Sequence, residues 1–396
     1  MKKSSTYRFP LLATAAVLAL TATGCTAAAT GEETNPTTAE AAAKAAPLAV
    51  SYANGIAVLD GTDLSIRSEF SAEEFTRLNA AGDGRNVMVT TSQGFQVLDT
   101  EQGQLRPITF SATTPGHVVR HAGNTVLFDD GTGDTTIFES SALATSGDEL
   151  PATQVIKGEA AHHGVSVKLE DGTLLTTVGT SESRSGAKAL DADGKQLAIS
   201  DECPGVHGEG TAAHESVVFG CEDGILLYHD GHFEKFTAPD DYGRMGNAYV
   251  SENSSWVVGD YKNDPDDEGY LLKAVTLLDT EAHKYQVMQL PAGVEYTWRG
   301  VVRGPGENAY ILGTDGSIHV LDPATGKLTD SYPVIEAWEG PKDWQEPHPA
   351  MTVNGSTAYI ADPATKRVLA VDLETGKQTA SVELKTEPNE MAVALG

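Results

Sequence analysis

The sequence predicts an all-β chain folded as a β-propeller of eight blades, with seven as the alternative count. Three observations predict it: a recurring unit of strand, Asp, turn and strand; the near absence of helical periodicity; and a final segment that reads as the missing first strand of the opening blade. In the unit, a short apolar run ends in Asp and a Thr/Gly-rich turn follows. The copies are Val58-Leu59-Asp60, Val97-Leu98-Asp99, Ala189-Leu190-Asp191, Leu277-Leu278-Asp279, Val320-Leu321-Asp322 and Ala370-Val371-Asp372. Degenerate copies stand at Ile137-Phe138-Glu139 and Leu227-Tyr228-His229-Asp230. The spacing is about 40 to 50 residues, the length of one four-stranded blade. The turns Asp322-Pro323-Ala324-Thr325-Gly326-Lys327 and Asp372-Leu373-Glu374-Thr375-Gly376-Lys377 share one chemistry, with Gly supplying the positive φ of a hairpin.

A second hairpin precedes each of these, and its turn reads acid-Asp-Gly at Asp129-Asp130-Gly131, Glu170-Asp171-Gly172 and Glu222-Asp223-Gly224. Repetition at one place in the blade assigns these carboxylates to turns rather than to a catalytic cluster. Ser71 to Leu78 is the one stretch expected to make a helical turn. The first blade opens at Leu48 with what read as its second, third and fourth strands, and Asn389 to Leu395 resembles an innermost strand. The C-terminal strand is therefore expected to complete the first blade and close the ring, which removes exposed strand edges.

The N-terminus has different chemistry. Lys2, Lys3 and Arg8 precede an apolar run from Phe9 to about Leu20, too short to span a bilayer comfortably. It ends in Ala22-Thr23-Gly24-Cys25, which resembles a bacterial lipobox. Residues 1–24 are expected to be a lipoprotein signal peptide. Cys25 is then the lipidated residue, and residues 25–47, rich in Ala, Thr, Glu and Pro, are a flexible tether. Residues 48–396 are the propeller, held at the outer face of the cell membrane through the N-terminal lipid alone. The chain is expected to be a monomer. A net charge of −29 excludes nucleic acid as a partner, because phosphate binding needs a basic face.

Cys203 and Cys221 remain once Cys25 is set aside. In an oxidising compartment such a pair is most simply a disulfide, with metal thiolates as the alternative. Only three residues separate Cys203 from His207, so a bridge there would fix that residue's approach. The histidines point to metal. His117, His162, His163, His207 and His348 all fall where a strand opens a blade, next to the central channel. Imidazoles from successive blades meet there, and Glu159 and Glu209 are close enough in sequence to add a carboxylate. Zinc suits neutral imidazole and carboxylate ligands, copper is the alternative, and calcium would not recruit histidine. The expected metal set is His117, His162, His163, His207, Glu209 and His348. Side chains alternate along a strand, so His162 and His163 both point inward only if the strand begins irregularly. His121, His214, His229, His232, His283 and His319 fall in turns or outer strands and read as structural.

The runs Ala161-His162-His163-Gly164, Cys203-Pro204-Gly205-Val206-His207-Gly208-Glu209 and Phe219-Gly220-Cys221-Glu222-Asp223-Gly224 resemble the AztD family of extracytoplasmic zinc metallochaperones. The resemblance covers about residues 48 to 396. It implies a propeller that hands zinc to the solute-binding protein of an ABC transporter. Two departures stand out: the segment Thr26 to Pro47 contains no histidine, whereas family members can carry a histidine-rich arm there, and the lipobox anchors what would otherwise diffuse. Two other classes compete with this reading. One is a metal-free interaction scaffold, to which Tyr296, Trp298, Trp338 and Trp344 could lend a face. The other is a propeller hydrolase using metal-bound water. The sequence has no Gly-x-Ser-x-Gly elbow, His-Glu-x-x-His helix or phosphate loop, so the enzyme reading is set aside.

Overall fold

The computed structural model describes residues 45–266 and 270–396. The expected signal peptide, Cys25 and all but the last residues of the expected tether lie outside the described residues. Eight antiparallel sheets follow one another around the ring. Blade 1 combines Leu48–Tyr52, Gly55–Leu59 and Ile66–Ser71 with Met391–Val393, which pairs antiparallel to Leu48–Val50 as the innermost strand. Blades 2 to 8 each run outward in chain order. Their innermost strands are Leu78–Ala80, Pro115–His121, Ser166–Lys168, His207–Ala212, Ala248–Tyr249, Val301–Arg303 and Ala350–Asn354. Eight is thus the blade count, and the ring closes through the C-terminal strand.

The middle strands of the blades are buried on both faces, which is why they read as unbroken apolar runs rather than as an alternation. Gly55–Leu59 and Ser216–Cys221 are buried at every position. Outermost strands such as Lys327–Pro333 face water and are polar. The recurring Asp that ends the third strand folds back on the turn it introduces. The Asp99 Oδ1 accepts the N–H groups of Glu101 and Gln102 at 3.0 and 2.9 Å, and Asp279 does the same for Glu281 and Ala282 at 3.1 and 3.2 Å. These Asx turns are the physical content of the repeat.

The two degenerate copies have different exits. At Glu139 the strand runs into Ser140–Thr145, the one α-helix among the described residues, before the outermost strand Gln154–Ile156 begins. At His229 a two-residue turn over Asp230 and Gly231 (φ 46 and 80) replaces the longer one. The helical turn expected over Ser71 to Leu78 is absent. Ser71 ends a strand, Leu78 begins the next, and the connection carries Phe75 and Arg77 to the channel side. At the end of the segment read as a tether, the Pro47 carbonyl accepts the Ala394 N–H at 3.0 Å beside the seam of blade 1.

Candidate metal centre

Innermost strands of a propeller all run the same way, so the residues that open them gather at one mouth of the channel. There the channel widens into a cavity of about 1160 Å³. His117, His163 and His207, from blades 3, 4 and 5, meet on one side of it. One potential ligand atom from each lies within 4.8 Å of the other two, and the ring centroids are 5.0 to 5.5 Å apart.

Local irregularities make this convergence. The strand register shifts between Pro115 and Val118, around His117, and again between His207 and Glu209. Gly208 sits in the second bulge with φ 61, and a Cβ there would lie 2.2 Å from the Gly246 carbonyl oxygen, so only glycine fits. His163 lies in the irregular lead-in to Ser166–Lys168, where Gly164 fills a slot between Phe128 and the His162 ring.

Each imidazole of the triad has an acceptor facing its Nδ1. His163 Nδ1 is 2.5 Å from Asp130 Oδ2. His207 Nδ1 is 2.5 Å from the Gly246 carbonyl oxygen. His117 Nδ1 is 3.5 Å from Glu209 Oε2. A histidine whose Nδ1–H is given to an acceptor presents the Nε2 lone pair, the arrangement that orients and strengthens imidazole ligands around metals. The Gly246 carbonyl is itself braced: Asp260 Oδ1 accepts the Gly246 and Asn247 N–H groups at 2.5 and 3.0 Å, and Oδ2 accepts Asn247 Nδ2 at 2.8 Å. Burial holds His207 well below its usual pKa, reinforced by the imidazoles of His117 and His163 and opposed by the Gly246 hydrogen bond. The ring is therefore neutral at pH 7, the form that binds metal. Burial pushes the Asp260 carboxyl above its ordinary value, against its hydrogen bonds to Asn247 and Gly246.

Disulfide-linked Cys203 and Cys221, both fully buried, flank this half of the mouth with Cα atoms 4.9 Å apart. The bridge fastens the segment entering the His207 strand to the end of Ser216–Cys221, and thiolate ligation is thereby ruled out in this state.

Three other residues named from the sequence are not part of the triad. His162 turns away: its Nδ1 is 2.9 Å from the Ala160 carbonyl oxygen and its Nε2 3.0 Å from Thr177 Oγ1, which occupies both ring nitrogens. The alternation of side chains selects His163 and buries its neighbour. His348 belongs to blade 8, across the ring from blade 4. It is buried, its Nδ1 lies 2.7 Å from the Glu346 carbonyl oxygen, and its pKa is lowered to about 4 by burial and by Arg299. Glu159 pairs with Lys188 at 2.5 Å, away from the triad. Glu209 adjoins the triad through His117. Asp130 was read only as a turn residue. Its neighbour Asp129 carries the turn, accepting the Gly131 N–H at 3.0 Å, while the Asp130 carboxylate holds His163. Asp260 and Gly246 gave no signal in the sequence at all.

The facing side of the mouth is aromatic and charged. The Arg77 guanidinium lies 5.2 Å from the Trp298 ring and 5.6 Å from that of Trp344. Glu390 bridges Arg77 Nε at 3.1 Å and Arg299 Nη2 at 2.7 Å. Tyr296 is wholly buried and Trp338 donates to the Gly313 carbonyl at 2.8 Å, so only two of the four aromatics line the cavity.

Fold and site define the class: an eight-bladed propeller with a histidine triad, suited to a transition metal, at one mouth of its channel. No protein-family model matches the chain. The zinc chaperone AztD of Citrobacter koseri is 23% identical over 365 residues, 85% of this chain and 82% of that protein. Two solved structures of Citrobacter koseri AztD superimpose with TM-scores of 0.72 (the apo form) and 0.73. Both are 20% identical and cover 88% of this chain and 98% and 97% of theirs. The chain is thus AztD-like in sequence and in fold.

Proposed function

We propose that the chain is an extracytoplasmic zinc metallochaperone that delivers zinc to the solute-binding protein of an ABC transporter. The observation that carries this is the triad: three imidazoles from three successive blades, each with an acceptor at Nδ1, converge at an accessible channel mouth. Likeness to a protein named as a zinc chaperone supports the choice of zinc over copper. His117, His163 and His207 are the ligands through Nε2, with Asp130, Gly246 and Glu209 orienting them. Three ligands leave one position of a tetrahedral zinc open to the channel. His207 is the half-buried anchor and His163, with 46% of its side chain exposed, is the ligand that an incoming partner meets first. A partner histidine entering the open position displaces the ligands stepwise, so the ion never passes through water. The reading contains no catalytic step.

The disulfide supports an oxidising compartment. In this reading Cys25 carries the lipid that holds the monomeric chain at the outer face of the membrane. The test mixes zinc-loaded chain with the metal-free solute-binding protein in excess chelator. Zinc is expected to reach the partner faster than it is released to chelator alone. Equal rates would refute direct transfer, and the His163→Ala and His207→Ala variants binding zinc as tightly as the parent would refute the site.

A further inference from the structure

Three histidines read as structural in the sequence, His229, His232 and His283, stand close together. On blade 5, His229 ends the third strand and His232 begins the fourth, and the two stand directly opposite each other in the ladder. Opposed residues share a face, as do residues two apart, so His229, His232 and Glu234 emerge together. Blade 6 adds His283 from the turn after Asp279. It has φ 53, and the turn is held by the Asp279 carboxylate.

The result is a compact cluster spanning two blades. Glu234 Oε2 lies 3.2 Å from His229 Nε2 and 2.6 Å from His283 Nδ1. Ligand atoms of these three residues all lie within 4.8 Å of one another. The His229 ring centroid is 4.7 Å from that of His283 and 4.2 Å from that of His232. Among the described residues no lysine or arginine pairs with Glu234 or either imidazole. Ligands of a tetrahedral zinc stand roughly 3.3 Å apart, given metal–ligand distances of about 2.0–2.2 Å. The Glu234–His229 separation of 3.2 Å matches that spacing, and the Glu234–His283 separation of 2.6 Å reaches it with a small outward movement of the exposed His283 side chain.

We propose that this cluster is a second, accessory site for a zinc-type divalent transition metal, formed by His229, Glu234 and His283, with His232 as the fourth ligand. Imidazole-rich sites of this kind favour zinc and its neighbours and reject calcium and magnesium. Strand direction puts the cluster on the far face: His207 opens the innermost strand at the channel mouth, and His229, at the end of the third strand, lies at the other end of the blade. The two sites are therefore separate. Glu234 and His283 are 36% and 39% exposed at the side chain, so the metal exchanges readily with solution. Bound metal also clips blade 5 to blade 6.

The test uses the full metal-free chain, equilibrium dialysis against zinc with elemental analysis, and cobalt(II) absorption as a reporter of tetrahedral coordination. A variant with all three triad histidines changed to alanine should still bind one equivalent and show cobalt bands. Adding His229→Ala and His283→Ala should abolish both. In the parent, the same two changes alone should remove one equivalent and leave the triad's. Unchanged stoichiometry in that variant would overturn the second site while leaving the triad reading intact. Loss of zinc from the triad variant alone would do the same. His283→Gln, a surface change in a folded chain checked by circular dichroism, should weaken binding at this site at least tenfold, and no change there would count against it.

Discussion

Changing Asp130 to alanine probes how the triad is held. The carboxylate sits 2.5 Å from His163 Nδ1 and nowhere near the Nε2 lone pair, so it acts on metal only through the imidazole. Loss of such an orienting carboxylate costs about 10- to 100-fold in metal affinity. His163 is nearly half exposed, so water replaces part of the lost acceptor and the expected loss lies at the lower end. About tenfold corresponds to about 1.4 kcal/mol. Asp130→Asn keeps an acceptor and removes the charge, so its loss should be a few-fold. Asp171 supplies the control: it holds the turn between the first two strands of blade 4, at the other end of the blade, by accepting the Thr173 N–H at 2.8 Å, and no hydrogen bond joins it to an imidazole of the triad. Asp171→Ala should leave zinc affinity unchanged. The assay is competition with a chelator of known affinity. If Asp130→Ala binds zinc like the parent while His163→Ala does not, the carboxylate is only a turn residue and the orientation argument fails.

Two further outcomes are expected. Replacing Cys203 and Cys221 by alanine should lower stability by about 3 kcal/mol in denaturant unfolding, the chain-entropy value for a loop of this size. An unchanged midpoint would contradict it. The His348 imidazole titrates near 6.5 in the unfolded chain and at about 4 when folded. Between those values the unfolded chain binds the extra proton, so stability falls as pH drops, by up to about 3 kcal/mol in total. His348→Gln should flatten that part of the stability–pH curve, and an identical slope in parent and variant would refute the assignment.

The fold was legible because its punctuation is local. An Asp that folds back on its own turn leaves the same short signature in each blade, and fully buried strands leave apolar runs. The two degenerate copies were ambiguous because a helix and a two-residue turn replace that signature at Glu139 and His229. The address of the triad was legible too, since a residue that opens an innermost strand faces the channel. What sequence did not resolve was rotation and distance around the ring. His162 and His163 differ by one position and point opposite ways. His348 has the same address as the triad but belongs to a blade on the far side. Asp130 hid behind turn chemistry, and the meeting of Glu234 with His283 depends on contact between blades, which no local pattern encodes.

The seam of the ring has its own consequence. Three residues, Met391 to Val393, pair with Leu48 to Val50, and Glu390 donates its N–H to Ser51 Oγ across 339 positions of sequence. That pairing carries a heavy closure entropy and is expected to be among the last to form and the first to part. Glu390 also grips Arg77 and Arg299, so the clasp of the ring and the keystone of the aromatic half of the mouth are one residue. The histidine half lies in blades 3 to 5 and uses no residue of the seam. Opening of the clasp is therefore expected to loosen the aromatic side of the mouth and to leave the histidine side in place.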